Sequence, residues 1–192
     1  MIIEIEFPLR GREIPVDHGY ALAGALKSEG YLTADDLRSI RVAPIIGDRS
    51  LNPNRILINS GSRLRFRAHE ITAKKILKVA GKSLDLRGHI ITIKAPRLWG
   101  LAAVESLRSK IVVIKNAATA EDFQFKIREH LGSMGSSAEI TVGRRKTISV
   151  KGAPQIGREV RLDNLEPEIS LSVMANGIGG RTSFGAGWFD PV

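Results

Sequence analysis

Ile3-Glu4-Ile5-Glu6-Phe7-Pro8-Leu9 alternates apolar and polar side chains, and Asp17-His18-Gly19-Tyr20-Ala21-Leu22-Ala23-Gly24-Ala25-Leu26 follows with helical spacing. These two runs decide the fold. A period of two puts Ile3, Ile5, Phe7 and Leu9 on one face of a half-buried strand. Asp17, just after Pro15, suits a helix N-cap; Leu22, Ala25 and Leu26 then share a face until Gly30 stops the run. Working outward, residues 33–36 read as a second, short helical start and 41–46 as a strand. Residues 55–59 and 63–69 are strands around Ser60-Gly61, 71–79 are helical, and 89–94 are again a strand. The order is β-α-β-β-α-β.

The second half repeats that order without evident sequence identity. Residues 110–115 are strand-like, Thr119 caps a helix over 121–131, and 139–142 and 146–150 are strands. Residues 152–157 are expected at a hairpin tip that returns through 158–162, a short helix follows over 167–176, and 184–189 close the second sheet. The expectation is an α+β protein of two tandem ferredoxin-like (RRM-like) domains, 1–95 and 96–192, with a C-terminal glycine-rich loop; Pro96 marks the boundary.

Composition narrows the function. The 192 residues carry 29 Lys and Arg against 20 Asp and Glu, a net charge of +9, which suits a polyanionic partner. Both halves share it: 16 basic and 10 acidic residues up to Lys94, 13 and 10 from Arg97. With no cysteine there is neither a disulfide framework nor a thiolate metal site. The first residues lack a basic leader and no apolar run approaches membrane-spanning length, so a soluble, cytoplasmic protein without a membrane partner is expected. Aromatic residues make up only 5% and no ribonucleoprotein motif is present, which argues against an ordinary single-strand RNA module with stacking platforms.

Three stretches are candidates for anion contact. In residues 63–69 strand geometry puts Arg63, Arg65 and Arg67 on one face and Leu64, Phe66 and Ala68 on the other. Residues 145–151 similarly line Arg145, Thr147, Ser149 and Lys151 along one side, with Arg144 and Lys146 beside them. The chain then ends in Gly177-Ile178-Gly179-Gly180-Arg181-Thr182-Ser183-Phe184-Gly185-Ala186-Gly187-Trp188-Phe189. Its apolar members call for burial, and its glycines permit positive φ and close backbone approach, which would leave N–H groups facing a phosphate. No carboxylates stand at metal-ligand spacing, and Asp35-Asp36 read as the first turn of a short helix.

The stretch from Gly143-Arg144-Arg145-Lys146-Thr147 to the Gly-Ile-Gly-Gly-Arg ending at Arg181, continuing through Phe184-Gly185-Ala186-Gly187-Trp188-Phe189, resembles the C-terminal half of the CRISPR repeat-processing endoribonucleases. These form part of the repeat-associated mysterious protein superfamily. Ile14-Pro15-Val16-Asp17-His18-Gly19-Tyr20-Ala21-Leu22 resembles that family's first helix start, and the compact chain is most similar to the small Myxococcus-type branch. Ala186 departs from the branch's pattern; the middle of the chain matches only in its order of elements.

The resemblance implies a metal-independent nuclease, without cofactor, that cuts precursor RNA within each repeat by 2′-hydroxyl attack. The products would be a 2′,3′-cyclic phosphate and a 5′-hydroxyl, with the processed RNA retained. It implies His18 as the catalytic histidine, with Tyr20 and Lys27 as orienting or charge-stabilising partners. Gly177, Gly179, Gly180, Arg181, Gly185 and Gly187 would hold RNA together with the basic strands. In the first helical turn the dipole opposes protonation of His18 while Asp17 favours it. Implied partners are repeat RNA, further subunits of a CRISPR effector complex, or a second copy of the chain. The alternative is a non-catalytic guide-RNA-binding subunit of such a complex.

Overall fold

The computed structural model describes all of residues 1–192. The chain forms two compact units: Met1–Gly100 with Ser183–Gly185, and Leu101–Thr182 with Ala186–Val192.

The first unit is built around β1 (Ile2–Gly11). It continues through β2 (Glu13–Pro15), α1 (Gly19–Ser28), α2 (Ala34–Ser39), β3 (Arg41–Val42), β4 (Asp48–Arg49), β5 (Arg55–Leu57), β6 (Arg63–His69), α3 (Glu70–Ile76), β7 (Ser83–Asp85), β8 (Ile90–Ile93) and β9 (Arg97–Gly100). The main sheet is antiparallel, in the order β3-β6-β1-β8-β7, and β9 also pairs with β1; β2, β5 and β4 make a small second sheet. Because Arg97–Gly100 pairs with Ile3–Glu6, the first unit runs past Pro96.

The alternation of β1 buries Ile5, Phe7 and Leu9 together with Leu22, Ala25 and Leu26 of α1 and with Leu64 and Phe66 of β6. Each large apolar side chain so buried contributes roughly 1.5–3 kcal/mol. The Phe7 and Phe66 rings meet edge to face with centroids 6.1 Å apart. α2 begins in a capping box: the Thr33 hydroxyl accepts from the Asp36 N–H at 3.1 Å and the Asp36 carboxylate accepts from the Thr33 N–H at 2.9 Å. Lys75 adds a 2.8 Å bond, and these donors hold the Asp36 carboxyl down at about 2. The Asp35-Asp36 pair is therefore a helix start.

The second unit runs β10 (Leu107–Val112), α4 (Ala120–Ser133), β11 (Glu139–Val150), β12 (Ala153–Asp163), α5 (Pro167–Asn176) and β13 (Phe189–Pro191). Its sheet is antiparallel, in the order β11-β12-β10-β13. Thr119 and Asp122 cap α4 with a second capping box. Leu107, Val160 and Leu162 pack against Ile127 and Leu131 of α4 and Val173 and Met174 of α5. The β11–β12 hairpin turns at Lys151-Gly152, both at positive φ (55° and 79°). That two-residue turn matches strand twist, so the tip meets the expected 152–157 only at Gly152, and residues 153–157 are already paired in β12.

Candidate functional site

The start of α1 is fixed by contacts to three other segments of the first unit. His18 takes the N-cap position, yet its side chain makes no cap bond. The ring turns inward and is 4% exposed. Nδ1 lies 3.0 Å from the Pro15 carbonyl and Nε2 accepts the Ile45 N–H at 2.9 Å. A nitrogen that faces a carbonyl must carry the proton and one that faces an N–H must not, so the ring is the neutral Nδ1–H tautomer. Burial lowers its pKa below 6.5, outweighing the Pro15 bond and the charge of Asp17. In this arrangement both ring nitrogens are engaged by backbone groups. The histidine that the sequence places at the catalytic centre holds two backbone segments to the helix.

Gly19 follows for a steric reason. A Cβ there would overlap the Phe184 carbonyl oxygen, so only glycine lets the first residue of α1 meet Ser183–Gly185. The Tyr20 ring packs edge to face on Phe184, centroids 5.5 Å apart, and Gly185, at φ 90°, lies against Pro44. Tyr20, Gly24 and Lys27 are spaced i, i+4, i+7 and share one stripe of α1. Tyr20 is half-buried, Gly24 and Lys27 are exposed, and a Cβ on Gly24 would meet no atom within 4 Å. The stripe is therefore open at Gly24, between Tyr20 and Lys27 in the sequence of the helix.

The arginine stripe of β6 is ion-paired internally. Arg63 Nε lies 3.3 Å from Glu6, Arg65 Nε 2.9 Å from Glu4 and Arg67 Nε 2.7 Å from Glu4, and Arg67 is 2% exposed. Antiparallel register sets Glu4 opposite Arg67 and Glu6 opposite Arg65, so the glutamates of the opening strand are the counter-ions. The phosphate face expected from alternation is a buried charge network at Arg67. The remaining histidines lie elsewhere: His69 precedes α3, His130 is exposed on α4, and His89 contacts Arg55 Nη1 and lies 3.9 Å from Glu13.

In the second unit the glycine loop is packed backbone against backbone. Cβ atoms on Gly177 and Gly187 would overlap the carbonyls of Gly187 and Ile178, and one on Gly179 that of Val113. The N–H groups of Gly177, Gly180, Ala186 and Gly187 donate to Val173, Val113, Arg181 and Ile111 carbonyls. Gly177, Gly185 and Gly187 are buried, so these glycines serve packing and do not offer a row of free donors. What the loop exposes is Gly179, Gly180 and Arg181, the last at φ 64° with its guanidinium 3.2 Å from Gln155 Oε1. Gly180 and Arg181 line an open cleft with Lys115 and Asn116.

On the hairpin, Arg145 and Lys151 are exposed, while Arg144 and Lys146 reach Glu159 at 3.4 and 2.6 Å. The β11–β12 hairpin and the Arg181 turn are thus the cationic surfaces of the second unit that the sequence pointed to. Ile45 and Phe184, which fix the α1 start, carry no signal in sequence; only the fold brings them to Asp17-His18-Gly19-Tyr20. No group of three His, Cys, Asp or Glu side chains comes together as a metal cage.

The α+β chain of antiparallel sheets shares its fold with solved CRISPR-associated proteins. A solved Cas6-related protein from Pyrococcus furiosus matches at TM-score 0.71, with 14% identity over 99% of this chain and 98% of that one. A solved RAMP protein described as binding different RNA substrates matches at 0.66, also 14% identical, over 98% of each chain. The family model described as Cas6 Crispr matches residues 3–192. The CRISPR-associated endonuclease Cas6 of Myxococcus xanthus (strain DK1622) is 30% identical over 192 residues, all of this chain and 82% of that relative. The chain belongs to the Cas6 family.

Proposed function

We propose that this protein is an endoribonuclease that cuts CRISPR precursor RNA within its repeats and retains the product. The observation that carries this is the family match over residues 3–192, together with similarity over the whole of this chain to an endonuclease of the same family. Each unit is read as a ferredoxin-like domain, supported by strand orders β3-β6-β1-β8 and β11-β12-β10-β13, which are the second, third, first and fourth strands of a β-α-β-β-α-β run. RNA carries its own nucleophile. A base takes the proton of the 2′-hydroxyl, the oxygen attacks the adjacent phosphorus, and the P–O5′ bond breaks as an acid protonates the leaving oxygen. The ends are a 2′,3′-cyclic phosphate and a 5′-hydroxyl, and no metal is needed to balance the step.

The residues proposed for this chemistry are those of the α1 start. Tyr20 and Lys27 flank the gap over Gly24, where a scissile phosphate has a hydroxyl on one side and a cation on the other. His18 acts as a positioning residue, holding the helix start against Pro15 and Ile45. Arg144, Arg145, Lys146, Lys151 and Arg181 hold the RNA backbone, with Gly179 and Gly180 at the exposed loop turn.

The enclosed state of His18 specifically favours a second reading, a guide-RNA-binding subunit that does not cut. Incubation with repeat RNA in EDTA separates the two. Cleavage to the stated ends, stopped by a 2′-deoxy substitution at the cut site that leaves binding intact, supports the nuclease. Binding without cleavage supports the second reading, and cutting of the deoxy substrate overturns the mechanism.

A further inference from the structure

Leu107-Arg108-Ser109-Lys110 on β10 alternates buried and exposed positions. Leu107 packs with Val160 and Leu162 against the helices, so Arg108, Glu159 and Arg161 point to the other face of the sheet. On that face lies an open cleft of about 530 Å³, lined by Arg108, Lys110, Arg144, Lys146 and Arg161 with Glu159 as the lining carboxylate.

Its charges are unevenly compensated. Glu159 serves Arg144 and Lys146, and Asp163 serves Arg161 at 2.8 Å. Arg108 and Lys110 make no ion pair or side-chain hydrogen bond; the nearest register partner of Arg108 beyond Arg161 is Asp190 on β13. Arg108 stands directly opposite Arg161, and like charges so paired across strands destabilise a sheet. Lys110 responds to the same crowding: burial, then Lys146 and Arg108, push its pKa down against the pull of Asp190 and Glu159. Two cations held side by side without a direct ion pair, beside the paired cations Arg144, Lys146 and Arg161 of β11 and β12, make a site that a bridging anion stabilises.

We propose that Arg108 and Lys110 form a phosphate site on the open sheet face of the second unit, taking consecutive backbone phosphates of the bound RNA outside the cleaved segment. This deepens the function proposed above and rests on it. Spacing supports a polymer over a single ion, because i and i+2 residues of a strand offer cations side by side along the cleft. The hairpin cations Arg144 and Lys146 share its rim, so one strand of RNA can pass from hairpin to sheet face.

The test uses the full chain carrying Arg108→Gln and Lys110→Gln, with Lys74→Gln and Lys78→Gln on the other unit as a control of equal charge. Affinity for 2′-deoxy-blocked repeat RNA is measured against salt, with full-length and end-trimmed RNA, beside thermal melts. The expected result is a slope of log K against log salt smaller by about 1.4, from about 0.7 per single-strand phosphate, with an unchanged or raised melting temperature. One end-trimmed RNA should bind wild type and variant alike, because it lacks the segment that reaches the site. Equal slopes for wild type and the cleft variant, or an equal fall in the control, overturn the site while leaving the nuclease reading in place. If inorganic phosphate protects Lys110 from acylation but repeat RNA does not, the site is one for free phosphate and the RNA assignment is overturned. Failure of the wild type to bind repeat RNA overturns the function and the site with it.

Discussion

Replacing His18 tests whether this histidine is structural, because the geometry gives it a cost that a solvent-facing catalytic group would not have. Removing the ring leaves the Ile45 N–H and the Pro15 carbonyl without their partners at a site where His18 is 4% exposed. An unsatisfied buried group costs about 1–3 kcal/mol. With the cavity left by the ring, His18→Ala should destabilise the first unit by on the order of 2–5 kcal/mol. His18→Gln places an amide oxygen near the position of Nε2, keeps an acceptor for Ile45, and should cost about half as much. The pH dependence carries a sign. The folded pKa lies below the unfolded 6.5, so the stabilisation is fully present above 6.5 and is lost as pH falls toward the folded value. The slope is at most about 1.36 kcal/mol per pH unit. Urea unfolding of wild type and His18→Gln at several pH values reads this out, and the curves should converge as pH falls below 6.5. Parallel curves, or a His18→Ala protein as stable as wild type, would refute a buried neutral histidine and return the ring to solvent and to acid–base duty.

Two glycines separate function from packing. Gly24→Ala should raise helix stability by about 0.5–1 kcal/mol, since its Cβ meets nothing within 4 Å. Gly24→Leu should remain folded by circular dichroism yet slow single-turnover cleavage at least tenfold by filling the gap between Tyr20 and Lys27; unimpaired cleavage would remove that gap from the site. Gly179→Ala should cost about 1–2 kcal/mol from its positive φ alone, and more from overlap with the Val113 carbonyl. A thermal melt should therefore register it before any RNA assay does.

How much of this was legible in sequence depends on which interactions are local. The period of two in Ile3, Ile5, Phe7 and Leu9, the spacing of Leu22, Ala25 and Leu26, and the capping pair of Thr119 and Asp122 depend on neighbours within a turn or a pleat. They set the element order and the core faces without help from the rest of the chain. Family membership was legible too, through the Asp17-His18-Gly19-Tyr20 and Gly177-to-Phe189 stretches. Partners distant in sequence were not. Alternation correctly put Arg63, Arg65 and Arg67 on one face, but only the register of β6 against β1 set Glu4 and Glu6 across from them. It thereby turned a phosphate face into an internal charge network. The glycines of the last stretch read as places where a phosphate comes close to the backbone, whereas the groups that approach Gly179, Gly187 and Gly177 in the fold are carbonyls of Val113, Ile178 and Gly187. For His18, one-dimensional pattern specifies a helix start and nothing about Ile45, 27 residues on. Hydrogen bonding to that residue decided the tautomer, the burial and the pKa direction, because a side chain's chemistry is set by the atoms that surround it, and tertiary packing chooses those atoms.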